Sequence, residues 1–99
     1  MKVRFTRRSV RVRLDDLETD LLSRHQPLEL ALNWPGGGWS VRLNPLQEGV
    51  SAEGGVLTVG LLGHLETLLD PLREGVGLEG FGGELEIRIE KDFRPEPPA

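Results

Sequence analysis

A chain of 99 residues, 37% of them hydrophobic, is long enough for one domain with a core of its own. It contains no cysteine, which excludes disulfides, thiol nucleophiles and thiolate-held zinc or iron–sulfur clusters. The net charge of −4 is unevenly placed: positions 1–13 hold Lys2, Arg4, Arg7, Arg8, Arg11 and Arg13 and no acid, and the rest of the chain sets its six basic residues against all 16 acidic ones. A basic head on an acidic body points first to pairing inside the domain. Nucleic acid is not expected as a partner, because the head lacks interleaved exposed aromatics and the whole chain is acidic. The opening MKVRFTRRSVRV has no continuous apolar stretch, so neither a secretory signal nor a membrane span is expected and the cytoplasm is the default location.

In chain order, Val3 and Phe5 precede an RRS turn, and Val10, Val12 and Leu14 then alternate with Ser9, Arg11 and Arg13, the period of a strand with one buried face. At DDLETDLLSR the period changes. Leu17, Leu21 and Leu22 fall on one helical stripe, with Asp15 as N-cap and Glu18 completing a capping box. Pro27 closes that segment. Leu28, Leu30, Leu32 and Trp34 share one strand face, PGGG turns the chain, and Trp39, Val41 and Leu43 return to the same face, with Trp34 and Trp39 expected as a cross-strand core pair.

The order then recurs 46–48 residues further on. Leu57, Val59 and Leu61 stand for Val10, Val12 and Leu14; Leu65-Glu66-Thr67 stands for Leu17-Glu18-Thr19; Val76 and Leu78 stand for Leu28 and Leu30; Leu85, Ile87 and Ile89 stand for Trp39, Val41 and Leu43. Pro71 is expected to stop the second helix near Leu69. The pattern predicts a single domain over 1–99, built as two ββαββ repeats at 2–44 and 50–91 with a frayed tail at 94–99. The expected class is α+β: one mainly antiparallel, strongly curved or barrel-like sheet with two short helices on its apolar face. Leu17 and Leu65 are expected at equivalent buried positions.

Strand parity sends Lys2, Arg4, Arg11, Arg13, Glu29 and Arg42 outward from the first unit and Glu53, Thr58, Glu79, Glu84, Glu86, Arg88 and Glu90 outward from the second. Such a face is either laced by cross-strand ion pairs or, where the sheet closes, a site in which arginines hold an anion. The candidate ligand-binding residues are Arg4, Arg11, Arg13, Arg42 and Arg88. Other motifs fail on context. GVGLEG at Gly75–Gly80 fits G-x-G-x-x-G but follows a helix and enters a strand, the reverse of a dinucleotide loop; His25 and His64 share no ligand spacing; no serine sits in G-x-S-x-G.

The opening MKVRF…SVRVRL and the closing EIRIEKDF resemble a family of small bacterial proteins without an established activity, a likeness that spans most of the chain and implies no catalytic residue. The duplicated strand-and-helix architecture is also similar to the CYTH family of triphosphate-tunnel enzymes, whose strand signature is E-x-E-x-K. Glu84, Glu86 and Arg88 stand there in this chain, on the last strand instead of the first and with Arg for Lys. That resemblance implies a divalent metal held by Glu86 and Glu90 and phosphates clamped by the five arginines. Without it, no cofactor is expected. The leading expectation is a small non-enzymatic domain that binds a protein partner or a small anionic ligand through its charged face. Metal-dependent phosphoester hydrolysis is the second reading, and self-association through an exposed strand edge the third.

Overall fold

Residues 1–91 are described in the computed structural model, so the expected tail at 94–99 lies outside the described residues. The chain begins with a hairpin, β1 (Lys2–Phe5) and β2 (Ser9–Leu14), and passes through helix α1 (Asp16–Ser23) to a second hairpin, β3 (Leu28–Trp34) and β4 (Gly37–Asn44). It repeats that order with β5 (Val50–Glu53), β6 (Val56–Gly60), α2 (Leu65–Leu69), β7 (Gly75–Gly80) and β8 (Leu85–Lys91). The fold is α+β, and the eight strands form two four-stranded mixed sheets, β1-β2-β8-β7 and β3-β4-β6-β5.

This corrects the expectation of one sheet, strongly curved or barrel-like: the strands divide between two, with four of the six strand pairings antiparallel as expected. Each outer pair is antiparallel, but the central pairs β2–β8 and β4–β6 are parallel. The physical reason lies in the helices. Instead of returning the chain to the sheet it left, α1 carries it from β2 in the first sheet to β3 in the second, and α2 carries it back from β6 to β7. Parallel neighbours need a crossover: between β2 and β8 it includes both helices and the whole second sheet, and between β4 and β6 it is the segment that carries β5. Among the described residues no backbone pairing joins the two sheets. Side chains join them: Phe5 of the edge strand β1 packs edge to face on Trp39 of the inner strand β4, ring centroids 4.5 Å apart, and where the edge strands β7 and β5 meet a Cβ on Gly80 would stand 2.9 Å from Val50 Cγ1.

The registers of the two sheets correspond. Ser9 faces Glu86 across β2–β8, and Val56 faces Ser40 across β6–β4; Leu28 faces Leu43 in the β3–β4 hairpin, and Val76 faces Ile89 in the β7–β8 hairpin. The buried core follows the same correspondence. Val10, Val12, Leu14, Leu22, Leu28, Val41 and Leu43 come from the first half, and Leu57, Val59, Leu61, Leu68, Val76, Ile87 and Ile89 from the second. Each fully buried side chain of this size contributes about 1.5–3 kcal/mol of transfer free energy. Both helices insert into that one core, through Leu22 and Leu68.

The helix starts differ, and this overturns the expected equivalence of Leu17 and Leu65. Asp15 caps α1 by the expected box: its carboxylate accepts from Glu18 N at 2.8 Å, and Glu18 Oε1 accepts from Asp15 N at 3.1 Å. His64 precedes α2 without a side-chain cap. Leu17 is therefore the second helical residue and Leu65 the first, a difference of about 100° round the axis. Leu65 is half-buried against the core while Leu17 is 70% exposed. The α1 terminus is a Schellman turn, with His25 N donating to Leu22 O (2.9 Å), Gln26 N donating to Leu21 O (3.0 Å), and His25 at φ 61°. As expected, α2 ends at Leu69, with Asp70 already extended before Pro71.

The β3–β4 turn is Pro35-Gly36 alone, since Trp34 pairs with Gly37; Pro at the first position and Gly36 at φ 87° fit a type II turn. That register corrects the expected tryptophan pair: Leu32 faces Trp39, and Trp34 lies over Gly37 instead.

Candidate functional site

On the outer face of the first sheet, pairing lines up side chains from neighbouring strands. Arg4 of β1 faces Arg11 of β2, Arg11 faces Arg88 of β8, and Arg88 faces Gly77 of β7. Three guanidinium side chains thus share one row across three adjacent strands, ending on a residue without a side chain. The flanking row towards the strand ends is Lys2, Arg13, Glu90 and Gly75; the row on the other side is Ser9, Glu86 and Glu79. Arg4, Arg11 and Arg88 line a concavity of about 660 Å³ together with Ser9, Gly77, Glu79 and Glu86.

Like charges directly opposite each other on a sheet are destabilising, so the row needs a counter-charge. Glu90 supplies it: Oε1 lies 2.8 Å from Arg88 Nε and 3.4 Å from Arg11 Nε, with the carboxylate side chain only 13% exposed. One carboxylate serves two arginines, and Arg4 and Arg13 have no ion pair among the described residues. The row retains a net positive charge.

The second sheet provides an internal comparison. Its corresponding row runs Ser51, Thr58, Arg42 and Glu29, with Arg42 Nε 3.9 Å from Glu29 Oε2. There a single arginine meets its own counter-ion directly across the strand pair, and the remaining positions are hydroxyls. Arg42 is therefore not brought to the other candidate arginines. Arg4, Arg11 and Arg88 come together in one row, and Arg13 stands in the next.

Glu86 and Glu90 lie four residues apart on β8, about 13 Å along a strand, beyond the span of one shared ion. Among the described residues no group of three or more His, Asp or Glu side chains is placed to hold a metal. Gly77 was missed from the sequence as a member of the face, and Glu79, sent outward by parity, was not among the candidate site residues. Counting back from a GFGG turn would set Glu79 against Glu84 and Gly77 against Glu86; the hairpin is instead centred on Phe81–Glu84, which sets Glu79 against Glu86 and Gly77 against Arg88.

No protein family, curated protein or solved structure compared with this chain matches it. Among the described residues no helix is long and apolar enough to cross a membrane.

Proposed function

We propose that this chain is a small non-enzymatic domain that binds an anion, a phosphate or carboxylate either free or borne by a protein partner, across the Arg4–Arg11–Arg88 row. The observation that carries this reading is the unpaired charge of that row, set against the second sheet, where the one arginine of the same row is matched by Glu29. Arginine presents a planar fork of donors to phosphate or carboxylate oxygens. An anion resting over Gly77 meets no side chain there, since a Cβ built on Gly77 has nothing within 4 Å. We also infer that residues 2–44 and 50–91 arose by internal duplication of a ββαββ unit, a reading supported by the matching registers and the paired core. On that view the corresponding row of the second sheet keeps a neutral, self-satisfied set of side chains and the first has gained arginines. Metal-dependent hydrolysis is not favoured, because Glu86 and Glu90 are too far apart to share an ion and Glu90 is engaged by two arginines.

The test is calorimetric titration of tripolyphosphate into the purified chain at low and high salt. Saturable binding that weakens with salt, falls by about tenfold or more in Arg4→Ala/Arg11→Ala and survives in Arg42→Ala supports the reading. Absence of saturation at millimolar ligand at low salt overturns it.

A further inference from the structure

We propose that the ligand of this face is bipolar: it carries, besides the anion held by the arginine row, a cationic amine held between Glu79 and Glu86. This rests on the anion-binding reading and deepens it. Glu86 precedes Arg88 of the arginine row by two residues on β8, about 7 Å along the strand, and Glu79 faces it directly across β7–β8. Both carboxylates line the same concavity as Arg4, Arg11 and Arg88.

Three features point to a ligand instead of a solvated surface. First, the two rows that line the concavity are each of like sign, although Arg13 faces Glu90 in the third row beside them. A face built only for solubility gains by setting opposite charges opposite each other, as Glu29 and Arg42 are set in the second sheet. In the first sheet arginine faces arginine and glutamate faces glutamate, an arrangement that is unfavourable in the free protein and complementary to a molecule with separated charges. Second, Arg11 and Arg88 both pair with Glu90, on the side of the row away from Glu86. Glu79 and Glu86 are left without an ion pair among the described residues. Third, the positions corresponding to Glu79 and Glu86 in the second sheet are Ala31 and Ser40, which face each other there. The fold does not require carboxylates at this place. An amine suits the pair better than a divalent metal, because two exposed carboxylates fall far short of the six or more oxygens that a hard cation collects. An amine tethered to the anion arrives at high effective concentration.

The experiment compares butyl phosphate with 4-aminobutyl phosphate, whose extended chain spans the interval between the rows, by calorimetry at low salt on the full chain. The amine is expected to tighten binding by about threefold to fivefold, the range of one or two exposed charge pairs. Glu79→Gln/Glu86→Gln should erase that advantage and bind butyl phosphate at least as tightly as before. Both side chains are exposed, and an unchanged melting temperature shows that the variant remains folded. Equal affinity of the two ligands, an advantage that persists in the double variant, or the same gain for butyl phosphate from added magnesium overturns the bipolar proposal while leaving the arginine row in place. Failure of butyl phosphate itself to bind removes the anion site and the proposal together.

Discussion

Gly77 stands beside Arg88 where Glu29 stands beside Arg42. The two positions correspond in strand, register and outward direction, so Arg42 meets a carboxylate within its own row, whereas Arg88 draws on Glu90 of the neighbouring row, which it shares with Arg11. The backbone of Gly77 is not in the left-handed region, and a Cβ there meets open space. Gly77→Glu should therefore install the missing counter-ion. Anion binding is expected to weaken by about tenfold, with stability unchanged or raised by up to about 1 kcal/mol, since glycine is a poor strand residue. Calorimetry with tripolyphosphate and a urea melt of the same sample check both halves. Undiminished binding would detach the site from the β8–β7 side of the row.

Glu90 holds Arg11 and Arg88 at once. Replacing it with glutamine leaves a hydrogen-bonding group of the same shape and removes its charge, so Glu90→Gln should tighten anion binding and steepen its salt dependence. It should cost about 0.5–1.5 kcal/mol of stability, because the arginine row then lacks its one internal counter-charge. A variant that binds more weakly would mean that Glu90 orients the guanidiniums more than it competes with the ligand.

The two helices report on the core. Leu22→Ala and Leu68→Ala should each cost about 2–5 kcal/mol by denaturant unfolding, the range for a fully buried leucine. Leu17→Ala should stay within about 0.5 kcal/mol, because that side chain lies largely in water. Comparable losses at Leu17 and Leu22 would indicate that α1 is rotated from the orientation described.

His25 occupies the left-handed position of the α1 Schellman turn. The conformation costs an L-residue roughly 1–2 kcal/mol, whereas glycine loses about 0.5–1 kcal/mol more than alanine in backbone entropy on folding. His25→Gly should therefore raise stability by about 0.5–1 kcal/mol with an unchanged denaturant slope. A drop in the urea midpoint would show that the imidazole makes a stabilising contact.

Much of the fold was legible because it is local. Alternation at Val10, Val12 and Leu14 fixes which face of β2 is buried, the Asp15–Glu18 box fixes where α1 starts, and Pro71 fixes where α2 stops. Parity alone also sent Arg4, Arg11, Arg13 and Arg88 outward. Periodicity does not tell one strand which other strand lies beside it. Nothing in SVRVRL says that its neighbour is EIRI seventy-odd positions later, and without that pairing Arg88 is just another exposed arginine. The Leu-Glu-Thr repeat misled for a related reason: helix phase is set by the cap, and Asp15 and His64 begin their helices one position apart relative to that tripeptide. Hairpin register can be counted only once the turn residues are known: the β7–β8 hairpin turns at Phe81–Glu84, one position beyond the start of GFGG, and that shift of two in pairing is what brings Gly77 beside Arg88.

The parallel pair β2–β8 also sets a timetable. The second sheet is built from four consecutive strands, β3 to β6, but the first joins the β1–β2 hairpin to β7–β8 from far along the chain, and contacts so distant in sequence slow folding. A hairpin such as β1–β2 closes in about 1–10 μs, yet its central neighbour β8 is the last of the described strands to be synthesised. At roughly 5–20 residues per second on the ribosome, the nascent hairpin waits several seconds with one edge unpaired, its valines bare and its arginines without Glu90. During that interval an anionic molecule, a chaperone surface or the ribosomal RNA itself has first access to the same arginines that the finished sheet displays.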